Sequence, residues 1–470
     1  MRAQLWAFWD DLRASYWFIP TLMTLGAVVL SVVVTTVDGR IGETWIDGVS
    51  WLYANKPDGA RTLLSTVAGS MIGVAGVTFS ITIASVVYAS GQYGPRLLSN
   101  FMRDTGNQVT LGTFIATFLY CLLVLRTIRA ADEGYGGANP AMDAVGPFVP
   151  HLSILVGLAL TLASIGVLIY FIHHVPKSIL VSNVIAGIGR ELVERIDTVF
   201  PERAGTSAPD IEPPPVAHAQ VPDDFYETAT RVRADGDGYV QSIDADGLFD
   251  AAVEHDLVIR LRFRPGDFVT TAESLVLAWP PDRVDEDLME RIRSSFVWGA
   301  SRTPLQDVRF LINELVEIGA RALSPGVNDP FTAINCLDWL GAALKRMAGR
   351  DFPSEGRYDE RGTLRLIAHP TSYAALVEAV FGQLRPYVAA DRNAAFHAMK
   401  VIGEVAGQTD DDDAKRVLRR EAETLVTQAT ALGAPDRDAL EARLRVVQEV
   451  LGPGEFEMVA ASVGWLGGSA

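Results

Sequence analysis

Six polar residues in one short stretch, Arg302, Asp307, Glu314, Arg321, Asn328 and Asp329, have the types and spacing of a binding site, with Glu317 among them. Asp329 precedes Pro330, an arrangement that caps and opens a helix. The unpaired N–H groups of a helix start point outward, so this end could receive an anion or a partner's acidic group, with the arginines as further ligands. The same residues also suit a tight helix–loop–helix connection through Ser324-Pro-Gly-Val-Asn-Asp-Pro330 with a salt-linked solvated face. The sequence leaves both readings open.

A second pattern is uncharged. At helical spacing, Thr66, Gly69, Gly73, Gly76 and Ser80 share one face of an apolar run, with Ser70 beside them, and Thr78, Thr82 and Ser85 make a second stripe. Other apolar runs carry Thr113, Thr117 and Tyr120, and Ser153, Gly157, Thr161 and Ser164. Inside lipid, small residues let helix backbones approach and hydroxyls bond across the interface. One reading is therefore tight helix packing, within a protomer or between protomers. The other is a water-filled path in which the first of these runs presents hydroxyl and backbone dipoles to ions. The absence of acidic and basic residues from these runs disfavours proton-coupled transport and leaves the ion undetermined.

Catalytic signatures are lacking. The chain has no P-loop, no H-E-x-x-H, no C-x-x-C and no G-x-S-x-G, and Gly187-Ile-Gly189 lacks the third glycine and preceding strand of a dinucleotide site. Adjacent His173 and His174 point about 100° apart on a helix and suit an interfacial polar pair better than one metal ion. The acid run Asp410–Asp413 opens a helix where the macrodipole favours it and lacks the spacing of a calcium loop. Cys121 and Cys336, the only cysteines, are far apart and form no disulfide framework. No enzyme activity, cofactor or metal is expected.

The elements that hold these residues begin with four runs long enough to cross a bilayer, Phe18–Val37, Leu64–Ala89, Val109–Leu125 and Val149–Ile172, none containing Asp, Glu, Lys or Arg. Trp6, Trp9, Tyr16 and Trp17 sit where interfacial aromatics belong. The first run is longer than a signal-peptide core and no small-residue cleavage site follows it, so a retained anchor is expected. Four spans put both termini on one side. That side collects Arg2, Arg13, Arg96, Arg103, Lys177, Arg190 and Arg195, against Arg40, Lys56, Arg61, Arg126 and Arg129 opposite, which favours cytoplasmic termini. The net charge of −17 over 470 residues excludes a general nucleic-acid surface.

Beyond the spans, Pro176 can open a new helix whose residues Val181, Ile185, Ile188, Leu192, Ile196 and Val199 share one face, an amphipathic element near the interface or packed on the next domain. Pro201–Pro222 reads as a semi-rigid or disordered linker. Strand patterns at Gly238–Ile243, Leu257–Arg264, Phe268–Thr270 and Ser274–Trp279, with a turn at Pro265-Gly266-Asp267, resemble the barrel-sandwich hybrids of biotinyl and lipoyl domains. No lysine lies between Lys177 and Lys345, so covalent cofactor attachment is excluded there. Helices are expected at Asp287–Trp298, from Thr303-Pro304 through Leu323, from Pro330, and near Tyr373–Leu384, Arg392–Ala406, Asp413–Leu432 and Pro435–Leu451.

The expected organisation is an α-helical membrane protein with an α+β soluble part. It comprises a four-helix transmembrane domain (1–175), an interfacial helix (176–200), a linker (201–228), a small β module (229–282), an α-helical domain (283–452) and a tail (453–470).

Several stretches together resemble a bacterial membrane-protein family known as domain of unknown function 2254. They are Tyr16-Trp-Phe-Ile-Pro20, Leu64-Ser-Thr-Val-Ala-Gly-Ser70, Tyr93-Gly-Pro-Arg96, Asn100-Phe-Met-Arg-Asp104, Leu111-Gly-Thr-Phe114, Arg302-Thr-Pro304, Arg321-Ala-Leu-Ser-Pro325 and Asn328-Asp-Pro330. The resemblance covers most of the chain and implies a bacterial inner-membrane protein. It carries no established activity, so no residue role transfers from it. The residues themselves favour a self-associating channel or pore-like protein with a regulatory soluble domain. The alternative is a non-transporting scaffold or sensor whose soluble domain binds a partner. The lipid bilayer is the one partner the sequence specifies.

Overall fold

The computed structural model describes residues 15–41, 57–94, 104–129, 148–200, 221–350 and 352–452. Most of the linker and all of the tail expected above lie outside them, as do Trp6, Trp9, Arg96 and Arg103. The chain divides into two compact units, one ending at Leu180 and one running on from Val181.

The first unit holds four helices long and apolar enough to cross a membrane. They are α1 (Phe18–Ile41), α2 (Pro57–Tyr93), α3 (Thr105–Leu125) and α4 (His151–Ile179). Each helix outruns its apolar run through polar residues, at both ends of α2, at the N-terminal end of α3 and at the C-terminal ends of α1 and α4. Pro176 lies inside α4 rather than opening the next helix, and the helical path breaks instead at Leu180, whose ψ is 122°. Helix α3 is central, packing on α1, α2 and α4. A Cβ on its Gly112 would come within 2.6 Å of Met23 Sδ and 3.1 Å of Pro20 Cα, so glycine is what lets α1 and α3 close together.

The second unit begins with α5 (Val181–Val199), whose buried face is Ile185, Ile188, Gly189, Leu192 and Ile196. It packs on α9 (Val308–Ala322) and α10 (Pro330–Ala348). Gly189 seats the Trp339 indole, which would stand 2.3 Å from any added Cβ. At its end Asp197 pairs with Arg346 and Arg350, and Arg350 also donates to the Phe200 carbonyl at 3.0 Å.

Residues 225–228, assigned above to the linker, form a helical turn, α6 (Phe225–Thr228), with Phe225 fully buried. Strands β1 (Thr230–Arg233), β2 (Gly238–Ile243), β3 (Val258–Leu261), β4 (Phe268–Val269) and β5 (Ser274–Trp279) follow, with α7 (Ala245–Glu254) inserted between β2 and β3. Helix α8 (Glu286–Ser294) stops early, because Phe296–Trp298, expected to end that helix, belong to strand β6 (Phe296–Gly299). A hairpin inside the helical region, β7 (Gly356–Tyr358) and β8 (Leu364–Ile367), completes a five-stranded sheet of order β1-β5-β3-β8-β7, in which β3 and β8 run parallel. A second sheet has order β4-β2-β6. The β module is therefore not self-contained. Helix α7 buries Leu248, Ala251 and Ala252 in its core beside Val240, Ile259 and Val276, in place of a plain barrel-sandwich. Four helices close the unit: α11 (Tyr373–Val388), α12 (Arg392–Ala406), α13 (Asp412–Gln428) and α14 (Ala434–Val450).

The Arg365 side chain, 9% exposed, is held between Asp256 at 2.7 Å and Asp359 at 2.8 Å, and Asp256 also accepts from Arg283. Hydrogen bonds from Arg365 and Arg283 hold the Asp256 carboxyl below its usual range, and the Thr363 N–H, then Arg365, do so for Asp359. Asp197 is lowered by Arg346 and then Arg350. A depressed folded-state value means that the stabilisation is complete above the unfolded carboxylate value, about 3.9, and is lost as pH falls through the lower folded values. The melting temperature of this unit should therefore fall between pH 5 and pH 2, and Arg365→Met should shrink that fall. A circular-dichroism melt with the same acid dependence in the variant would remove these pairs from the account.

Candidate functional site

In the membrane unit the hydroxyl stripes separate into two kinds. Those of α3 and α4 face each other: Thr117 Oγ1 and Ser164 Oγ are 3.0 Å apart, and Tyr120 donates to the Ser153 carbonyl at 3.0 Å. Gly157 lies against Leu64 and Tyr120. These residues pack helices within the protomer. On α2 the inward stripe is Thr78 and Thr82, 4% and 1% exposed. The outward stripe is the other one. Thr66, Gly69, Ser70, Gly73, Gly76 and Ser80 are all exposed, and a Cβ added to Gly69, Gly73 or Gly76 would meet nothing within 4 Å. Thr66, Ser70 and Ser80 donate to the carbonyls of Thr62, Thr66 and Gly76 on their own helix. The stripe is thus an uncharged, small-residue face that no other described span of the protomer covers.

Two carboxylates of this unit were not visible in the sequence as structural groups. Asp38, the first charged residue after the first apolar run, is buried inside the last turns of α1. It accepts from Leu152 N at 2.9 Å, Ser153 N at 2.8 Å and Ser153 Oγ at 2.6 Å. It thereby caps α4, whose own N-cap is Pro150, without a side-chain hydrogen bond. Asp104 caps α3 through Gly106 N and binds His174 Nε2 at 2.8 Å, while His174 Nδ1 meets the Tyr170 hydroxyl at 3.1 Å. The interfacial histidine thus has a partner 70 residues away in sequence.

In the second unit the six polar residues do not form one site. Arg302 and Asp307 come together; the other four lie elsewhere. Helix α9 starts at Val308, not at Thr303-Pro304, because Asp307 is its cap and accepts from Arg309 N. Asp307, 3% exposed, is a hub. Arg302 Nη2 is 2.5 Å from its Oδ2, and Arg309 Nε is 3.4 Å from its Oδ1. Arg309 Nη2 reaches on to Asp267 Oδ1 and the Pro265 carbonyl, each at 3.3 Å. The Pro265-Gly266-Asp267 turn is pressed on this hub: Gly266 has φ +90°, and a Cβ there would stand 2.0 Å from Asp307 Oδ2. The turn and the Arg302-Thr-Pro304 segment, separate features in the sequence, meet at one carboxylate.

Glu314 is buried about two turns further along α9. Arg321 pairs with Glu317 at 3.2 Å on the same helix. Asn328 takes a left-handed φ of 50° in the exposed loop. Asp329 accepts from the Thr332 N–H and hydroxyl, so the α10 start already holds its own carboxylate where an anion would sit.

A cavity of about 190 Å³ adjoins the Asp307 hub. Its walls include Phe200, Leu261, Phe263, Val308 and Leu376, with Arg264, Asp307, Arg309 and His369 among its polar lining. Sequence reasoning did not find Arg264, Arg309 or Asp267 as members of this cluster. Their only signal was the Pro265-Gly266-Asp267 turn, which holds Asp267 and directly follows Arg264.

The chain is 29% identical to an uncharacterized protein of Mycobacterium bovis over 455 residues, 95% of this chain and 83% of the relative. Uncharacterized proteins of two Mycobacterium tuberculosis strains, H37Rv and CDC 1551, match with the same identity and coverage. No solved structure matches the chain. Residues 13–404 match the family described as "Predicted membrane protein (DUF2254)". With four apolar spans and a match over most of its length, the chain belongs to that family of membrane proteins.

Proposed function

We propose that the protein is a homo-oligomeric channel of the bacterial inner membrane, with α2 of each protomer toward the assembly axis, cytoplasmic termini, and a regulatory soluble unit. The observation that carries this reading is the outward stripe of Thr66, Gly69, Ser70, Gly73, Gly76 and Ser80, small and uncharged while the α2 face opposite is packed. A lipid-facing helix has no need of such a face. Helices that meet closely, or that border water, do.

The test is reconstitution. The native chain should be oligomeric in detergent and pass a small ion in liposomes. Gly73→Leu, with nothing within 4 Å of its Cβ in the protomer, should leave the protomer folded while dispersing the oligomer and cutting flux at least tenfold. A monomeric native chain, or an intact oligomer that passes no small ion at any voltage or pH, would overturn the channel.

One observation favours the scaffold or sensor as a second reading. The stripe hydroxyls already bond to their own helix, which leaves them less to offer an ion and suits plain packing. That reading predicts the same dispersal by Gly73→Leu, no flux, and a stoichiometric partner of the soluble unit.

A further inference from the structure

The cavity beside Asp307 lies wholly within the second unit. It is bounded by the end of α5 (Val199, Phe200), by the β3 strand and the residues after it (Leu261, Phe263, Arg264), by the start of α9 (Val308, Arg309), and by Leu376 of α11. Its volume of about 190 Å³ exceeds the roughly 150 Å³ that suffices for an apolar cavity to hold benzene. The excess leaves room for a small polar group. The walls are mostly apolar, so a hydrated ion alone would lose its water without replacement.

The charge around it is unbalanced. Among the described residues the carboxylates that pair with Arg264, Arg302 and Arg309 are Asp267 and Asp307, three cations against two carboxylates. Asp307 is taken up by its helix cap and by two arginines. Arg309 holds its carboxylates at 3.3 and 3.4 Å, the long end of hydrogen bonding. Arg264 is the cation left over. Among the described residues its side chain, 38% exposed, makes only a 3.8 Å ion pair with Asp267, beyond hydrogen-bond range, so the five guanidinium donors are left to water or to a ligand. A guanidinium with unused donors on the wall of an apolar cavity is a carboxylate receptor: the fork matches the two oxygens, and the apolar body of the ligand fills the rest.

We propose that this cavity binds a small organic carboxylate with a compact apolar body, of the size of benzoate, its carboxylate on Arg264 and its ring among Phe200, Leu261, Phe263 and Leu376. The ligand would then touch the end of α5, the helix that directly follows the last membrane span in the chain. The site stands independently of whether the membrane unit conducts.

The experiment uses the full chain in lipid nanodiscs and three probes: benzoate, its neutral isostere benzamide, and acetate. Calorimetry should give saturable binding of one benzoate per chain, with benzamide and acetate each at least tenfold weaker. Arg264→Met, which keeps the length of the side chain and breaks no hydrogen bond made by the guanidinium, should weaken benzoate at least tenfold at an unchanged melting temperature. Equal affinity for benzoate and benzamide, or unaltered benzoate binding in Arg264→Met, would overturn the carboxylate assignment. Failure of all three probes to saturate at 10 mM would overturn the site itself. Should Arg264→Met fail to fold, the benzoate–benzamide comparison on the native chain decides alone.

Discussion

Asp38→Ala is expected to cost the membrane unit about 2–3 kcal/mol, read as a lower thermal or denaturant midpoint in detergent. The size follows from what the carboxylate holds. It accepts three hydrogen bonds, from Leu152 N, Ser153 N and Ser153 Oγ, all at 2.9 Å or less. Bonds to a charged group contribute about 1.5–3 kcal/mol, and a lost helix cap alone costs roughly 0.5–2 kcal/mol. These do not add in full, because α4 can fray by one turn once the cap is gone. Replacement by water is restricted: Asp38 is 7% and Ser153 0% exposed, and Pro150 offers no side-chain cap. Asp38→Asn keeps an acceptor but loses the charge and should fall between native and alanine. Tyr120→Phe removes one neutral bond to the Ser153 carbonyl at the same place and should cost only about 1 kcal/mol. If Asp38→Ala melts with the native chain, the capping role assigned to this carboxylate is wrong.

Asp38 also marks where the sequence stopped being readable. Four uncharged runs of bilayer-crossing length are explicit in composition, because lipid demands them segment by segment. The role of a charge at the end of such a run is not explicit. Asp38 looks like any flanking residue until α4, 114 residues on, is set beside it. Asp104 and His174 are the same case. In the second unit, long amphipathic helices such as Arg392–Ala406 are legible because one periodic face carries the signal over four turns. Strands β7 and β8, three and four residues long, are too short for alternation to stand out, and β8 owes its place to β3 far away in sequence. The polar cluster was half legible. Arg302 and Asp307, close along the chain, do pair, but Asp329 and Arg321 were grouped with them for the same proximity, and the fold separates them. What assembles the cluster is the Gly266 turn, which local spacing cannot connect to α9.

That turn gives the second large effect. Gly266→Ala should destabilise the second unit more than Gly362→Ala does, by about 1–3 kcal/mol. Both glycines have positive φ, +90° and +74°, so each alanine carries backbone strain of about 1–3 kcal/mol. They differ in surroundings. At Gly362 a Cβ meets nothing within 4 Å, whereas at Gly266 it would stand 2.0 Å from Asp307 Oδ2 and 2.7 Å from its Cγ. The Asp307 side chain cannot simply turn aside. It caps α9 through Arg309 N and is clasped by Arg302 and Arg309, so moving it leaves two guanidinium groups with weaker partners. The turn cannot easily retreat either, because Gly266 N donates to the Val240 carbonyl at 2.8 Å and Val240 N to the Asp267 carbonyl at 2.9 Å. The difference between the two variants therefore isolates the contact from the strain, and chemical denaturation monitored at the helix signal measures it. Asp307→Asn supplies the complement: it keeps a cap for α9 but not the charge, and because Asp307 is buried while its arginines are about one-fifth exposed it should cost about 1–3 kcal/mol, between an exposed pair and a buried pair broken on one side. Equal losses for Gly266→Ala and Gly362→Ala would mean that the turn does not press on Asp307, and the geometry that assembles the cavity's polar wall would have to be abandoned with it.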